Sequence, residues 1–176
     1  MNKSSGNFTP YIIVLFVVII IVVLFLSLSK SQNMIVVEVN NTTTDPIDMK
    51  LNKYQDSDCG MVIDDLTYSS QVITPSMKRY FFHDHGGMVH WLASKPFKEK
   101  SKIWVMAKDT GHYIDGRKAW YSRTDNTPML YGFGAYEKRK DGLIDFKTMS
   151  LYMLRGENLT NPKIRQSLLG DSSGNH

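Results

Sequence analysis

A long apolar run near the N-terminus is the strongest feature of the hydrophobic and polar pattern. Residues 11–28, YIIVLFVVIIIVVLFLSL, are apolar except for Ser27. About 18 residues of this kind make roughly 27 Å of helix, which is close to the hydrocarbon thickness of a bilayer. Because a helix satisfies its own backbone hydrogen bonds in lipid, the pattern predicts a transmembrane helix at residues 11–29. The run is longer than the core of a signal peptide, so we expect it to be retained.

The predicted anchor separates a short N-terminal segment from one folded domain. Residues 1–10 are too few to fold alone. Lys3 on one side of the anchor and Lys30 on the other give only a slight preference for a cytoplasmic N-terminus. A short retained anchor usually exports the domain that follows it. We therefore expect a single-pass protein of the inner membrane with its C-terminal domain in the periplasm.

After a juxtamembrane linker at residues 30–47, the chain alternates short strand and helix patterns. The first unit, residues 48–110, has two strand patterns, then a helix pattern with Met88, Trp91 and Leu92 on one face, then a third strand pattern. In chain order, the predicted elements are strands at 69–75 and 78–84, a helix at 88–95 and a strand at 102–109.

The second unit, residues 111–156, repeats this order loosely. Its predicted elements are a strand at 116–123, a strand that passes into a helix across 128–142, and further helix at 144–156. Residues 157–176 are expected to form a polar C-terminal tail. The layout predicts an α+β fold, with two related β-β-α-β units in one exported domain, preceded by a single N-terminal transmembrane helix.

The charge pattern excludes one class of partner. The formal net charge is +4, and Lys3 and Lys30 beside the apolar run contribute to it. The densest basic cluster, EKRKD at residues 137–141, is typical of a solvated turn or helix end. Nucleic-acid binding requires a denser basic face with interleaved aromatic residues, so we expect no nucleic-acid partner.

Cys59 is the only cysteine, so no disulfide can form within the chain. In an oxidising compartment a single thiol is open to cross-linking and oxidation. It persists there either as a buried, inert side chain or because a ligand occupies it. The sequence around it, DSDCG, is typical of a turn, which favours the second interpretation.

Sulfur donors near Cys59 indicate a site for monovalent copper. Met61 lies two residues further on, so both sulfur atoms would point to the same side of an extended segment. Thiolate and thioether ligands select Cu(I) over hard cations, whereas a structural zinc site needs four Cys or His ligands. Cys59 with one or two methionines would give a two- or three-coordinate site. Further candidate ligands are Met129, in the loop pattern TDNTPML, and then His83, His85 and Met88.

Two other classes of function remain open. The domain could bind a protein partner through its aromatic surface without a metal, as a membrane-tethered scaffold. A thiol enzyme would use Cys59 as a nucleophile with His83 or His85 as its base. However, the acidic residues around Cys59 would raise the pKa of its thiol, and the chain has no phosphate-binding loop or dinucleotide motif. We therefore expect no enzyme activity.

Several segments follow one another in the order that the NosL family shows: CGMVI, YSSQV, YFFHDHGGMVHWL, WVMAKD, GRKAWY and TPMLYGFGAYEKR. Over residues 58–140 the chain resembles this family of nitrous oxide reductase accessory proteins, which act as copper chaperones. The resemblance implies a periplasmic Cu(I)-binding protein that supplies copper for nitrous oxide reductase in denitrification. Its partners would be that reductase and its copper-delivery transporter complex.

The resemblance also assigns residues. Cys59 and Met61 match the family's CGM element, and Met129 matches its TPM element and would complete the site from the second unit. Three features differ from the family pattern. A predicted transmembrane helix replaces a lipid anchor, His83 and His85 stand where members often have other residues, and Gly87 stands where many members have a second cysteine. The fold family is also similar to organomercurial lyase, whose chemistry requires a pair of cysteines.

Overall fold

The computed structural model describes the backbone of residues 9–29 and 34–170, with side chains from residue 10 to residue 24 in the first stretch. The chain divides into two compact units, residues 1–33 and 34–176.

The first unit contains helix α1 (Thr9–Ser29). Its large apolar side chains from residue 11 to residue 24 are exposed. Judged by length and apolarity, none of the helices in the described part of the chain qualifies as a membrane span. The transmembrane helix therefore stays a prediction. Residues 1–8, which include most of the predicted cytoplasmic segment, lie outside the described residues.

The second unit begins with five strands. In chain order, they are β1 (Val37–Glu38), β2 (Ser70–Ile73), β3 (Arg79–Phe82), β4 (Lys102–Met106) and β5 (Tyr113–Asp115). They form one antiparallel sheet in the spatial order β1-β3-β2-β4-β5. The central strand β2 is buried at every position, whereas β4 alternates between buried and half-buried residues, as a strand with one covered face does. Val72 of β2 pairs with Tyr80 on one side and with Ile103 on the other.

Helix α2 (His85–Ala93) follows β3 and packs on this sheet through Met88, Val89 and Leu92. The helix begins at His85 because the side chain of Asp84 caps it, accepting a hydrogen bond from the backbone N–H of Gly86. The chain then passes through a short 3₁₀ turn, Lys98–Lys100, into β4.

Three further strands follow, β6 (Trp120–Tyr121), β7 (Ala135–Tyr136) and β8 (Ile144–Asp145). They form a second antiparallel sheet in the order β7-β6-β8. Its core side chains join those of the first sheet in one hydrophobic cluster, so both sheets belong to one domain. The last two elements are the helices α3 (Phe146–Leu154) and α4 (Pro162–Leu169).

The mixed α+β class is confirmed, and the order β2-β3-α2-β4 reproduces the first predicted unit. The second half does not repeat that order. β5 joins the first sheet, and within residues 34–170 no strand follows α3. The predicted two-unit repeat is therefore found only in its first half.

The helix predicted within residues 128–142 is wrong, because residues after β7 form turns instead. Gly132 has a φ of 90°, a conformation outside the helical range. Beyond β7, the carboxylate of Asp109 accepts the backbone N–H groups of Glu137 and Lys138, which holds this segment in a non-helical form.

Both predicted flanking segments contain more structure than expected. Part of the linker at residues 30–47 belongs to the second unit, where β1 pairs with β3 and the N–H of Ile47 donates to the side chain of Gln71. The predicted tail contains α4, which begins with Asn161 as its cap and Pro162 in its first turn.

Candidate metal centre

A tight turn carries Cys59 to the surface. One oxygen of the Asp56 side chain, Oδ1, accepts the backbone N–H groups of Asp58 at 2.7 Å and Cys59 at 3.1 Å. The N–H of Gly60, whose φ is 75°, donates to the carbonyl of Asp56 at 2.9 Å. A buried aspartate thus organises the turn, and the thiol that the turn presents is exposed.

The turn is attached to the end of strand β3. The N–H of Ser57 donates to the carbonyl of Phe81 at 2.8 Å, and the N–H of Phe81 donates to the hydroxyl of Ser57 at 3.2 Å. The second oxygen of Asp56, Oδ2, accepts the backbone N–H of His83 at 2.9 Å. These bonds place the residue that follows β3, His83, beside the turn.

The side chains of Asp56 and His83 form a buried pair, with 2.6 Å between Oδ2 and Nδ1. Burial would raise the pKa of Asp56, but hydrogen bonds from the His83 ring and from three backbone N–H groups lower it. Burial would lower the pKa of His83, but the bond to Asp56 raises it. Both shifts favour the charged pair.

The thiol of Cys59 completes a group of three potential metal ligands. Its Sγ lies 3.9 Å from Nδ1 of His83, and one donor atom from each of Asp56, Cys59 and His83 lies within 4.8 Å of the other two. With metal bonds of about 2.3 Å to sulfur and 2.0 Å to nitrogen, two ligands of one ion lie about 3.5 Å apart at a tetrahedral angle and 4.3 Å apart in a line. The observed spacing falls between these values.

The electrostatic surroundings keep the free thiol protonated. Partial shielding of the thiol from water raises the pKa of Cys59, and the carboxylates of Asp56 and Asp58 raise it further. A nucleophilic cysteine needs the opposite shift. A bound cation would offset the same carboxylates, so this turn is better suited to holding a metal than to attacking a substrate.

A loop from the second half of the chain lies against the start of α2. Asp84 accepts the N–H of Gly86 on one oxygen at 2.8 Å and the N–H of Met129 on the other at 3.0 Å. The Tyr131 ring packs against Gly86. Burial raises the pKa of Tyr131, and the carboxylates of Asp84 and Asp58 raise it further. We call residues 127–132 the Met129 loop.

The two histidines that the sequence presents as a pair have different surroundings. His85 is fully buried, where its Nδ1 lies 2.8 Å from the hydroxyl oxygen of Ser70 and its ring meets the rings of Tyr68 and Tyr121 edge-on. Burial lowers the pKa of His85 to about 3, so it is neutral at physiological pH. His83 alone lies beside Cys59. The strand ends at Phe82, before either histidine, so strand alternation does not extend to them.

The three methionine candidates also differ. Met88 is fully buried in the core between the sheets and helices, which gives it a packing role. Met61 is 53% exposed, two residues beyond Cys59 on the same turn. Met129 is half-buried in its loop. Metal binding by Met61 and Met129 stays a prediction.

Asp56 is the site residue that the sequence analysis missed as a ligand candidate. The signal for it is local: an aspartate two residues before Asp58 and three before Cys59 is typical of a side chain that accepts backbone N–H groups in a turn. Its contact with His83 depends on tertiary packing and has no sequence signal.

Comparisons with known proteins give a fold-level likeness. No protein-family model matches the sequence, and no curated protein matches it. A crystal structure of the copper chaperone NosL from Shewanella denitrificans superposes with a TM-score of 0.49 and 16% sequence identity. The match covers 62% of this chain and 95% of that chain. At this identity the likeness concerns the fold alone.

Proposed function

We propose that this protein binds one Cu(I) ion at the Cys59 turn and acts as a copper chaperone. The observation that carries this proposal is the exposed thiol of Cys59, 3.9 Å from the imidazole of His83. Within the described residues, Asp56, Cys59 and His83 are the one group of three Cys, His or carboxylate side chains with metal-ligand spacing.

The donor set favours a soft monovalent ion. Thiolate and imidazole are present, and two thioethers, Met61 and Met129, lie on the adjoining segments. Nδ1 of His83 is the ring nitrogen near Sγ, and Nε2 is buried without a hydrogen-bond partner among the described residues. Asp56 is a hard donor, so its role is to hold the turn and the backbone of His83 in place. Cu(I) at Nδ1 would displace the proton that Nδ1 shares with Oδ2 of Asp56.

Anaerobic titration of the reduced full chain with a chromogenic cuprous chelator tests the site. We expect one Cu(I) per chain, and a loss of affinity of about 100-fold or more for Cys59→Ala or His83→Ala. His112→Ala is the matched control, because His112 pairs with Glu137 outside the ligand group. X-ray absorption of the loaded protein should report sulfur and nitrogen ligands. Unchanged affinity in Cys59→Ala would refute the site.

The methionines are tested separately. Met61→Ala and Met129→Ala should each weaken Cu(I) binding if the thioether is a ligand, and X-ray absorption should then show fewer sulfur neighbours. Met88→Leu is the control, because it conserves volume in the core and removes only a sulfur that lies away from the surface.

The proposal also includes a membrane anchor, a periplasmic location and a recipient for the copper. The exposed apolar side chains of α1 support insertion into the inner membrane, with residues 34–176 in the periplasm. The motif order in residues 58–140 supports delivery of copper to nitrous oxide reductase through its transporter complex. A membrane-impermeant thiol reagent that labels Cys59 in intact spheroplasts would support the orientation. Labelling only after lysis would contradict it.

A further inference from the structure

A cavity of about 440 Å³ opens between helices α2 and α3, and its lining includes none of Asp56, Cys59 and His83. Its volume is in the range of about 300–1,000 Å³ that small-molecule sites occupy. The cavity therefore has room for a ligand and is separate from the candidate metal centre.

The floor of the cavity is apolar. Val89 and Leu92 contribute the buried face of α2, and Phe146 and Leu154 contribute side chains from both ends of α3. Leu154 is among the large apolar side chains that remain exposed. A flexible hydrocarbon chain in the cavity would cover this surface and gain the free energy of its burial.

The rim of the cavity is positively charged. Lys98, Arg117 and Lys147 line it, against a single acidic residue, Glu99. The carboxylate of Glu99 is 3.9 Å from Arg117, and its side chain is 77% exposed, so it neutralises the guanidinium only weakly. The rim therefore favours an anionic ligand.

Arg117 is already held in position at this rim. Its Nη2 donates to the carbonyl of Lys98, and its guanidinium carbon lies 5.4 Å from the centre of the Phe146 ring. These two contacts fix the plane of the guanidinium against the apolar floor. The guanidinium has further N–H groups besides the one that donates to Lys98. Their planar arrangement is complementary to a carboxylate, which can accept two parallel hydrogen bonds.

We propose that this cavity binds a single-chain amphiphilic carboxylate of the fatty-acid class. The carboxylate pairs with Arg117, assisted by Lys98 and Lys147, and the hydrocarbon chain lies on the floor formed by α2 and α3. The apolar floor disfavours a sugar, which would leave its hydroxyl groups without partners. The basic rim disfavours a cationic amphiphile.

Photo-crosslinking tests this proposal on the full chain in nanodiscs of zwitterionic phospholipid. The probe is a twelve-carbon fatty acid with a diazirine on its chain, and labelled peptides are mapped by mass spectrometry. We expect labelling of peptides that contain Val89, Leu92 and Leu154. An excess of dodecanoate should reduce this labelling, whereas dodecylamine or dodecanol at the same concentration should not. Labelling confined to α1, or equal competition by all three compounds, would overturn the proposal.

Variants identify the head-group contact. Arg117→Gln should require about tenfold or more dodecanoate to compete for the same labelling, because a charged hydrogen-bond partner is lost. Arg123→Gln is the matched control: Arg123 also donates to a backbone carbonyl and lies over an aromatic ring, Tyr152, but does not line the cavity. Equal competition curves for the two variants would contradict the proposal.

Two further measurements distinguish loss of fatty-acid binding from loss of folding and from effects of the candidate copper site. Ala93→Phe fills the cavity and should abolish the labelling, while the thermal unfolding of each variant reports whether the domain remains folded. Cys59→Ala should label like the unaltered chain, because the cavity does not include the metal ligands. Retained labelling in a folded Ala93→Phe variant would place the ligand elsewhere.

Discussion

The side chain of Asp84 and the backbone of Met129 are joined by a partly buried hydrogen bond, with 3.0 Å between Oδ2 and the nitrogen. The other oxygen of Asp84 caps α2 at Gly86. One carboxylate therefore starts a helix and fastens the Met129 loop to it. Since His83 directly precedes Asp84, this bond connects the second half of the domain to the candidate metal centre.

Asp84→Ala should destabilise the domain more than the loss of a helix cap alone. Loss of a cap costs about 1 kcal/mol, and loss of the hydrogen bond to the half-buried Met129 costs about 0.5–1.5 kcal/mol more. The free energy of unfolding from urea denaturation measures this. Asp145→Ala is the matched control, because Asp145 caps α3 through Thr148 at an exposed position and should cost about 1 kcal/mol. Equal losses in the two variants would show that the bond to Met129 contributes nothing.

Substitution by alanine should affect the free energy of unfolding differently at two adjacent glycines of α2. A Cβ at Gly86 would lie 2.6 Å from the Tyr131 ring, and also within 2.8 Å of the base of that side chain, so the Met129 loop must move. We expect Gly86→Ala to lower the free energy of unfolding by about 1–3 kcal/mol. A Cβ at Gly87 has Asp58 as its nearest neighbour at 3.8 Å, so Gly87→Ala should be neutral or stabilise by up to about 1 kcal/mol.

The same pair tests the importance of the Met129 loop for copper. If Met129 is a ligand, Gly86→Ala should weaken Cu(I) binding in the chelator titration, whereas Gly87→Ala should not. Undiminished affinity in a folded Gly86→Ala variant would remove Met129 from the ligand set.

The first half of the fold was predictable because its strands carry strong local signals. The aromatic and β-branched residues of β2, β3 and β4 alternate or run together, and α2 shows helical spacing. β5 has three residues and β7 has two, which is too short for a periodic pattern. The sequence predicts a helix after β7, whereas the structure has a turn there. This turn is held by the carboxylate of Asp109, which lies 28 residues earlier and gives no local signal.

The candidate site was predictable only in part. The lone thiol of Cys59 and its turn were visible in the sequence, and His83 was one of several imidazole candidates. The pairing of the two is not a local property, since they lie 24 residues apart and meet through hydrogen bonds between Ser57 and Phe81. The inward position of His85 follows from helix α2 starting at that residue.

Asp56→Asn should uncouple the imidazole from the turn. The amide retains size and one acceptor oxygen, so either the N–H groups of the turn or the N–H of His83 lose their partner. We expect Cu(I) affinity to fall about 10–100-fold, as for other residues that orient a ligand. Asp141→Asn, at an exposed position, controls for the loss of one negative charge. If both variants bind equally well, Asp56 does not position His83.

The reactivity of Cys59 should report its acidic surroundings. Because burial and two carboxylates raise the pKa of its thiol, alkylation of the metal-free chain by iodoacetamide should be slow at pH 7 and accelerate above pH 9. Asp58→Asn removes one of the charges and should increase the rate at pH 8 a few-fold. Rapid alkylation at neutral pH would instead indicate an activated nucleophile and would favour a thiol enzyme.

The ion pair between β4 and β5 should make stability depend on pH. Nζ of Lys102 lies 2.8 Å from Oδ2 of Asp115, and the other oxygen of Asp115 accepts the N–H of Arg117. Burial would raise the pKa of Asp115, but these bonds lower it below the unfolded value of about 3.9. The contribution of Asp115 to stability is therefore complete above about pH 5 and is lost as the pH falls through the folded pKa.

Asp115→Asn should accordingly reduce the free energy of unfolding by about 0.5–1 kcal/mol at pH 7, since both side chains are partly exposed, at 38% for Lys102 and 22% for Asp115. The difference from the unaltered chain should shrink as the pH falls below the unfolded pKa, and it should vanish once the native carboxyl group is protonated too. Urea denaturation at pH 7, 5, 3 and 2 measures it, with Asp141→Asn as the exposed control. A difference that stays constant across this range would show that packing, and not charge, is what Asp115 contributes.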